Sequence, residues 1–278
     1  MKAMASVILP AHDEAGHIGA CLSALLASHP LPQGWRGEVI VVANGCRDGT
    51  AGLARGYCDE ARARGWALRV IELAEGNKLR ALNAGDAAAR GGVRIYLDAD
   101  VIVDPALVGQ LIGTLGSERA LYSSGTPRVA RAESPFTRAY GRFWLRLPFM
   151  THGVPGFGVF AVNGAGRARW EDWPDIISDD TFVRLQFAPP ERVGIAAGYV
   201  WPMVEGFANL VRVRRRQNEG VAQIAVRYPA LLANDDKARP RIGALAMRDP
   251  VGFAAYALVA LAVKTPLFRG RGGWARGR

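Results

Sequence analysis

The chain has 278 residues, half of them hydrophobic and 22 % charged, which is enough for a large core and too apolar for a disordered chain. Its net charge of +10 suits an anionic partner, whether nucleotide, nucleic acid or acidic lipid, without choosing among them. The three cysteines, Cys21, Cys46 and Cys58, are odd in number and lack CxxC spacing, which argues against a disulfide framework and for a reducing, cytoplasmic setting.

The opening stretch MKAMASVILPAHDE carries an apolar run too short for a signal peptide, and acids follow it at once. Residues 6–9 predict a buried strand. Residues 14–28 predict a helix, with Ile18, Cys21, Leu22, Leu25 and Leu26 at helical spacing. GEVIVVANG predicts a second strand that ends in an Asn-Gly turn, and residues 50–65 a helix. WALRVIEL is a third strand, NKLRALNAGDAAARG a helix ending at Gly91, and VRIYLDAD a fourth strand. Short apolar strands that alternate with helices imply an α/β fold with a mostly parallel, Rossmann-like sheet flanked by helices.

Asp104-Pro105 predicts the N-cap and first position of the next helix. ALYSSG predicts a strand, and residues 133–150 form an aromatic-rich helical stretch. GFGVFAVNG predicts a strand after a Pro-Gly turn, SDDTFVRLQF a short helix after an acidic turn, and RVGIAAGYVW a last strand. From residue 206 the chain is helical and basic. Its longest uncharged run, residues 250–263, would span about 21 Å as a helix, short of a hydrocarbon core of about 30 Å.

The stretch RIYLDADVIVDP poses the functional question, because acids close a strand that is otherwise apolar. Asp98 and Asp100 are two apart, so on a strand both carboxylates face one side, at the carboxyl end of a parallel sheet where ligands bind. Such a pair either ends the strand and starts a turn, or holds Mg²⁺ or Mn²⁺ together with substrate phosphates. The four histidines, His12, His17, His29 and His152, have no metal-binding spacing. No Walker A, no nucleotide-binding GxGxxG and no nucleic-acid motif is present, so nucleic acid is not the expected partner.

Four ordered stretches carry a family resemblance: VILPAHDEAGHIGACLSAL, VIVVANGCRDGT, GNKLRALNAG and YLDADVIVDP, followed by the acidic SDD before TFVRL. Together they cover residues 5–187, and the chain resembles the inverting family 2 glycosyltransferases, which use the GT-A fold. The resemblance implies a GT-A domain over residues 1–205, with a nucleotide-binding part to about residue 104 and an acceptor-binding part from about 105. A helical, basic extension over residues 206–278 would follow. It further implies transfer of one sugar from a nucleotide-diphosphate sugar to a hydroxyl acceptor, which is a carbohydrate, a lipid-linked molecule or another hydroxyl compound.

By that resemblance, Pro10, Ala11 and Glu14 line the base and ribose pocket, although Glu14 also suits a helix start. Asp48 meets the nucleobase or caps a helix. Asn44 joins the same pocket or makes the turn with Gly45. Lys78 sits at a helix start, where a cation opposes the helix dipole, a misfit that either a ligand phosphate or an exposed side chain snorkelling to water would relieve. Asp98, Ala99 and Asp100 contact the donor, with Asp100 and Asp98 holding the metal. Asp180 is the candidate general base and Asp179 its runner-up. Gly156, Phe157 and Gly158 form an acceptor-side loop or an ordinary turn. Phe253, Tyr256, Leu258 and Leu261 with the basic tail fit an anionic surface at the inner face of a membrane, or a core-packing helix.

Three departures qualify the resemblance. His12-Asp13 stands where Tyr-Asn is common, and Asp179-Asp180 where Glu-Asp is common. The Gln-x-x-Arg-Trp box of processive synthases is absent, which argues against processive synthesis. A silent nucleotide-sugar-binding protein and a sugar-phosphate nucleotidyltransferase are the rival readings. The second lacks its Gly-rich N-terminal turn.

Overall fold

The computed structural model describes residues 3–236, 238, 240–266 and 268. The strand β1 (Ala3–Ala11) leads into α1 (Ile18–Leu26), β2 (Trp35–Asn44), α2 (Thr50–Arg55), α3 (Cys58–Ala63), β3 (Trp66–Leu73), α4 (Lys78–Ala88) and β4 (Val93–Leu97). Then come β5 (Ile102–Val103), α5 (Leu107–Leu115), β6 (Tyr122–Val129), α6 (Pro135–Trp144), α7 (Pro148–Thr151), β7 (Val159–Asn163) and the one-turn α8 (Gly164–Arg167). The remaining α-helices and strands are α9 (Asp179–Leu185), β8 (Arg192–Trp201), α10 (Phe207–Arg227), α11 (Ile242–Arg248) and α12 (Pro250–Val263), with 3₁₀ turns at Pro189–Glu191 and Pro229–Asn234. Two compact units divide the chain: residues 1–128, 156–175 and 186–201 in one, and 129–155, 176–185 and 202–278 in the other.

The first unit carries an eight-stranded sheet in the order β3-β2-β1-β4-β7-β6-β8-β5. β3, β2, β1 and β4 run parallel, and β7 turns the sheet antiparallel at β4. The central strands β1 and β2 are buried in long runs because both of their faces are covered, whereas the edge strand β3 alternates with exposed Ala67, Arg69 and Glu72. Val39 and Val41 point into a core with Leu22, Leu25 and Leu111, while Ile40 and Val42 point to the opposite face, against Ala81 of α4. α1 buries the five residues that its sequence spacing selects.

Buried charge is compensated locally. Glu38 lies fully inside, where burial pushes its carboxyl up. Hydrogen bonds from the Arg90 amide, the Ser6 hydroxyl and the Arg90 guanidinium outweigh that and hold it below the ordinary carboxylate range. Buried Asp86 accepts from Arg94, Tyr96, Arg167 and the Trp173 indole, which ties α4, β4 and the segment after α8 together.

Three local expectations are corrected. Residues 50–65 form two helices rather than one, parted at Gly56 and Tyr57. Gly52 and Gly56 weaken the helix, and the Tyr57 hydroxyl meets Ser23 of α1 at 3.1 Å. α4 ends at Ala88, not Gly91, because Ala89 turns extended and Arg90 is drawn to Glu38. Asp104 does not cap α5, whose N-cap is Ala106. The Asp104 carboxylate binds Arg128 and accepts from the Gly198 amide at 2.9 Å, and the Arg128 bond holds it below its ordinary range.

In the second unit, α12 packs against α6 through aromatic rings and against α10 through Arg214, whose guanidinium lies over the Tyr256 ring. Phe143 meets Phe253 at 5.7 Å and Tyr256 at 5.1 Å, and Tyr140 stacks on Tyr256 at 5.8 Å. Asp249 caps α12 by accepting the Gly252 amide at 2.9 Å, with Pro250 at the first helical position. Its carboxylate also takes a two-pronged bond from Arg142 of α6. Phe253 and Tyr256 are thus packing residues, whereas Leu258 and Leu261 are exposed. No helix among the described residues is long and apolar enough to cross a membrane.

Candidate active site

The predicted site residues of the first unit gather where β1, β2 and β4 end. Pro10 and Ala11 close β1, in register with Val42 and Ala43 of β2. Asn44, buried at the end of β2, donates from Nδ2 to the Ala11 carbonyl at 2.7 Å and so joins the two strand ends. Its own carbonyl lies 2.6 Å from His12 Nδ1. A carbonyl only accepts, so this nitrogen carries the proton.

The turn after β1 and the turn after β2 are knitted by side chains. Asp48 Oδ1 accepts the Thr50 amide at 3.0 Å, and Oδ2 accepts the Ala15 amide at 3.1 Å. The Thr50 hydroxyl accepts the Glu14 amide at 2.7 Å. Asp13 adopts a left-handed φ of 51° and accepts the Arg47 amide. Asp48 therefore organises the start of α2, whose N-cap is Gly49, and holds the turn after β1.

Glycine is required at two contacts here. Gly45 has φ 60°, and a Cβ on it would lie 2.3 Å from the Gly76 nitrogen. A Cβ on Gly76 would lie 2.8 Å from the His12 ring. His12, Thr50 and Gly76 thus shape this end of the sheet, and sequence reasoning passed over their part in it. The Asn-Gly turn and the Gly just before Asn77 were the available signals.

Lys78 opens α4 directly after Asn77, whose side chain caps the helix through the Leu79 and Arg80 amides. Its Nζ lies 3.0 Å from Asp98 Oδ1. The carboxylate offsets a cation placed against the helix dipole, so the ion pair answers the misfit within the chain itself.

The acids after β4 are not on a strand face, which corrects the alternation argument. β4 ends at Leu97, and the next residues turn, with the Val101 amide bonded to the Asp98 carbonyl at 3.2 Å. Pairing to β7 stops at Val159, and beyond it Gly158 enters a left-handed φ of 77°. Its carbonyl accepts the Asp98 amide at 2.8 Å. Ala99 is buried and Asp100 half-buried within this turn. Beneath it lies Cys21, whose thiol is pushed up by burial and then by the charges of Asp98 and Glu14.

Gly158 fastens its loop to this turn, while Gly156 and Phe157 pack on neighbouring aromatic residues. A Cβ on Gly156, at φ 71°, would fall on the Tyr122 hydroxyl. The Phe157 carbonyl accepts from Tyr199 at 2.6 Å, and its ring meets Trp201 edge-on at 5.0 Å. The glycines are there for close backbone approach, whatever else the loop does.

In the second unit, Asp179 and Asp180 form the first turn of α9. Asp179 is 7 % exposed and Asp180 half-buried, with Oδ1 of Asp180 accepting the Thr181 amide at 2.6 Å. Arg184, one turn on, bridges Asp235 at 3.0 Å and Asp236 at 2.8 Å. α10 supports the start of α9: Gln223 accepts the Ile177 amide at 2.8 Å, and Gly220 leaves room for Ser178.

Among the described residues, two sets of side chains are candidates to hold a cation. Asp13, Cys46 and Asp48 lie close enough to share one. Their carboxylates are engaged by backbone amides, and burial keeps the Cys46 thiol above its ordinary value, so it is a poor ligand. Asp98, paired with Lys78, and Asp100 carry hard carboxylate oxygens, the donor type that would suit Mg²⁺ or Mn²⁺.

The sequence pattern described as "Glycosyl transferase family 2" matches residues 6–168. The chain belongs to this family. No curated protein matches it. Among solved structures, mannosyltransferase PcManGT from Pyrobaculum calidifontis, in complex with GDP-Man and Mn²⁺, has 21 % identity and a TM-score of 0.61. That match covers 95 % of this chain and 76 % of that one. TarS 1–349 of S. aureus, in complex with UDP, has 14 % identity and a TM-score of 0.59, covering 95 % and 75 %. Glucosyl-3-phosphoglycerate synthase from Mycobacterium tuberculosis, in complex with phosphoglyceric acid, has 19 % identity and a TM-score of 0.53, covering 81 % and 80 %. The family 2 chain shares with them the GT-A fold: an α/β sheet, parallel through its first strands and flanked by helices, with a helical C-terminal region.

Proposed function

We propose that this family 2 glycosyltransferase moves a single sugar from a nucleotide-diphosphate sugar to a hydroxyl acceptor, with inversion at the anomeric carbon. The observation that carries the reading is the Lys78–Asp98 pair at the carboxyl end of β4, beside the half-buried Asp100. A cation and two hard-oxygen acids there suit a diphosphate and a divalent ion together. The complexes of PcManGT with GDP-Man and Mn²⁺, and of TarS with UDP, support a donor of that class.

Pro10, Ala11, Glu14, Asn44 and Asp48 then receive the base and ribose in the turns that Asn44 and Asp48 fix. Lys78 meets the diphosphate, and Asp100 with Asp98 holds Mg²⁺ or Mn²⁺. When bound, the ion neutralises the charge that collects on the departing nucleoside diphosphate. The acceptor oxygen forms the new bond to the anomeric carbon as the bond to the diphosphate oxygen breaks, and its proton passes to Asp180. Asp180 is favoured over Asp179 because it is the more exposed of the two. One displacement inverts the centre, by the stereochemical logic of single displacement in inverting glycosidases. Gly156, Phe157 and Gly158 serve the acceptor side.

The test is transfer from a nucleotide sugar by the parent, Asp180→Asn and Asp179→Asn. Asp180→Asn is expected to lower turnover by about 10²- to 10⁴-fold while the nucleoside diphosphate still binds. An unimpaired Asp180→Asn with an inactive Asp179→Asn reassigns the base, and retention of configuration in the product refutes single displacement.

A further inference from the structure

The structure assigns a second surface to the chain: the outward face of α11 and α12 docks on an anionic lipid bilayer. α12 carries no charged residue from Pro250 to Val263. Its inward positions, Gly252, Ala255, Val259 and Ala262, are buried within the second unit. Its outward positions are just as apolar, with Val251 65 % exposed, Leu258 54 % and Leu261 62 %, and Met247 of α11 adds 81 %. Val251, Leu258 and Leu261 recur at seven and three residues, one stripe of a helix. A helix that is apolar all round is normally covered on every side.

The charges around it say what covers it. Lys264 follows the helix and is exposed, and exposed Arg248 precedes it. The acid beside it, Asp249, is engaged by Arg142 and Arg146. At the other end, Arg215 donates to the carbonyls of Ala262 and Thr265. The sequence from 202 to 278 holds fourteen Lys and Arg against five Asp and Glu, so this stretch accounts for a net +9 of the chain's +10. Two copies placed face to face would bring like charges together. An anionic bilayer accepts the apolar stripe and the flanking cations at once. The helix is too short to span it, so it lies in the plane of the surface. This surface is independent of the donor site, and its test uses no nucleotide.

The test is co-sedimentation of the full chain with vesicles of phosphatidylcholine alone and of equimolar phosphatidylcholine and phosphatidylglycerol. The parent is expected to partition at least about tenfold more onto the anionic vesicles, and less as salt rises. Changing Leu258→Glu and Leu261→Glu together is expected to lower that partition by about tenfold or more at an unchanged melting temperature. Leu258→Trp is expected to show a blue-shifted emission on the anionic vesicles, which a purely charge-held chain would not show. Equal partition of parent and the double Glu variant would overturn the proposal. So would a parent that binds neither vesicle, or light scattering that shows a dimer dependent on Leu258 and Leu261.

Discussion

Asp98 answers several demands at one residue. Its amide is held by Gly158, its carbonyl starts the turn to Val101, and its carboxylate meets Lys78. The sequence shows the acids at the end of an apolar strand, but not that the strand stops at Leu97 and that a turn presents them. The alternation rule fails because β4 pairs with β7 only as far as Val159, and the left-handed Gly158 then takes up the Asp98 amide. Lys78 is the sharper test at this scale. In the proposed site it is a phosphate contact, so Lys78→Met should weaken nucleoside diphosphate binding by about tenfold or more and leave binding of the free nucleoside little changed, as read by calorimetry. Equal losses for both ligands would make Lys78 only the structural partner of Asp98.

At the scale of elements, β1 to β4 and α1 were legible because buried parallel strands and amphipathic helices write their periods into the sequence. Caps were legible only in part. Asp104-Pro105 and Asp249-Pro250 are the same dipeptide before a helix, yet only Asp249 caps. Asp104 is taken by Arg128 and by the Gly198 amide, partners that chain order does not reveal. Asp249 also yields a pH prediction. The hydrogen bond from Arg142 holds its carboxyl down from 3.8 to about 2. A depressed carboxylate contributes stability above its unfolded value and loses it as pH falls through the folded one. Stability should therefore decline as pH falls from about 4 to about 2. Asp249→Ala should be less stable by about 1–2 kcal/mol at neutral pH, the usual cost of a lost N-cap, with a flatter acid limb in denaturant titrations. A parent and a variant with parallel acid limbs would remove Asp249 from this account.

Across the whole molecule, the two units draw on segments far apart in sequence. Residues 129–155 and 176–185 join 202–278 in one of them, through pairs such as Arg142 with Asp249 and Arg184 with Asp236. No local pattern carries such contacts, which is why the fold class was readable while the company each helix keeps was not. The family was readable for the opposite reason: the motifs after β1, β2 and β4 are short and local, and parallel strands bring the proposed donor-side residues on them together at their carboxyl ends. The acidic pair on α9 was visible as a pair, and the greater exposure of Asp180 is the structure's addition. The central claim is a metal-assisted nucleoside diphosphate site at Asp98, Asp100 and Lys78. Thermal shift of the parent and of Asp100→Ala with UDP, GDP, dTDP and CDP, each with and without Mn²⁺, tests it most directly, since a ligand selective for the folded state raises the melting temperature. The account predicts a rise for one base that needs Mn²⁺ and is lost in Asp100→Ala. A shift indifferent to both the metal and Asp100, or no shift with any nucleotide, would contradict it.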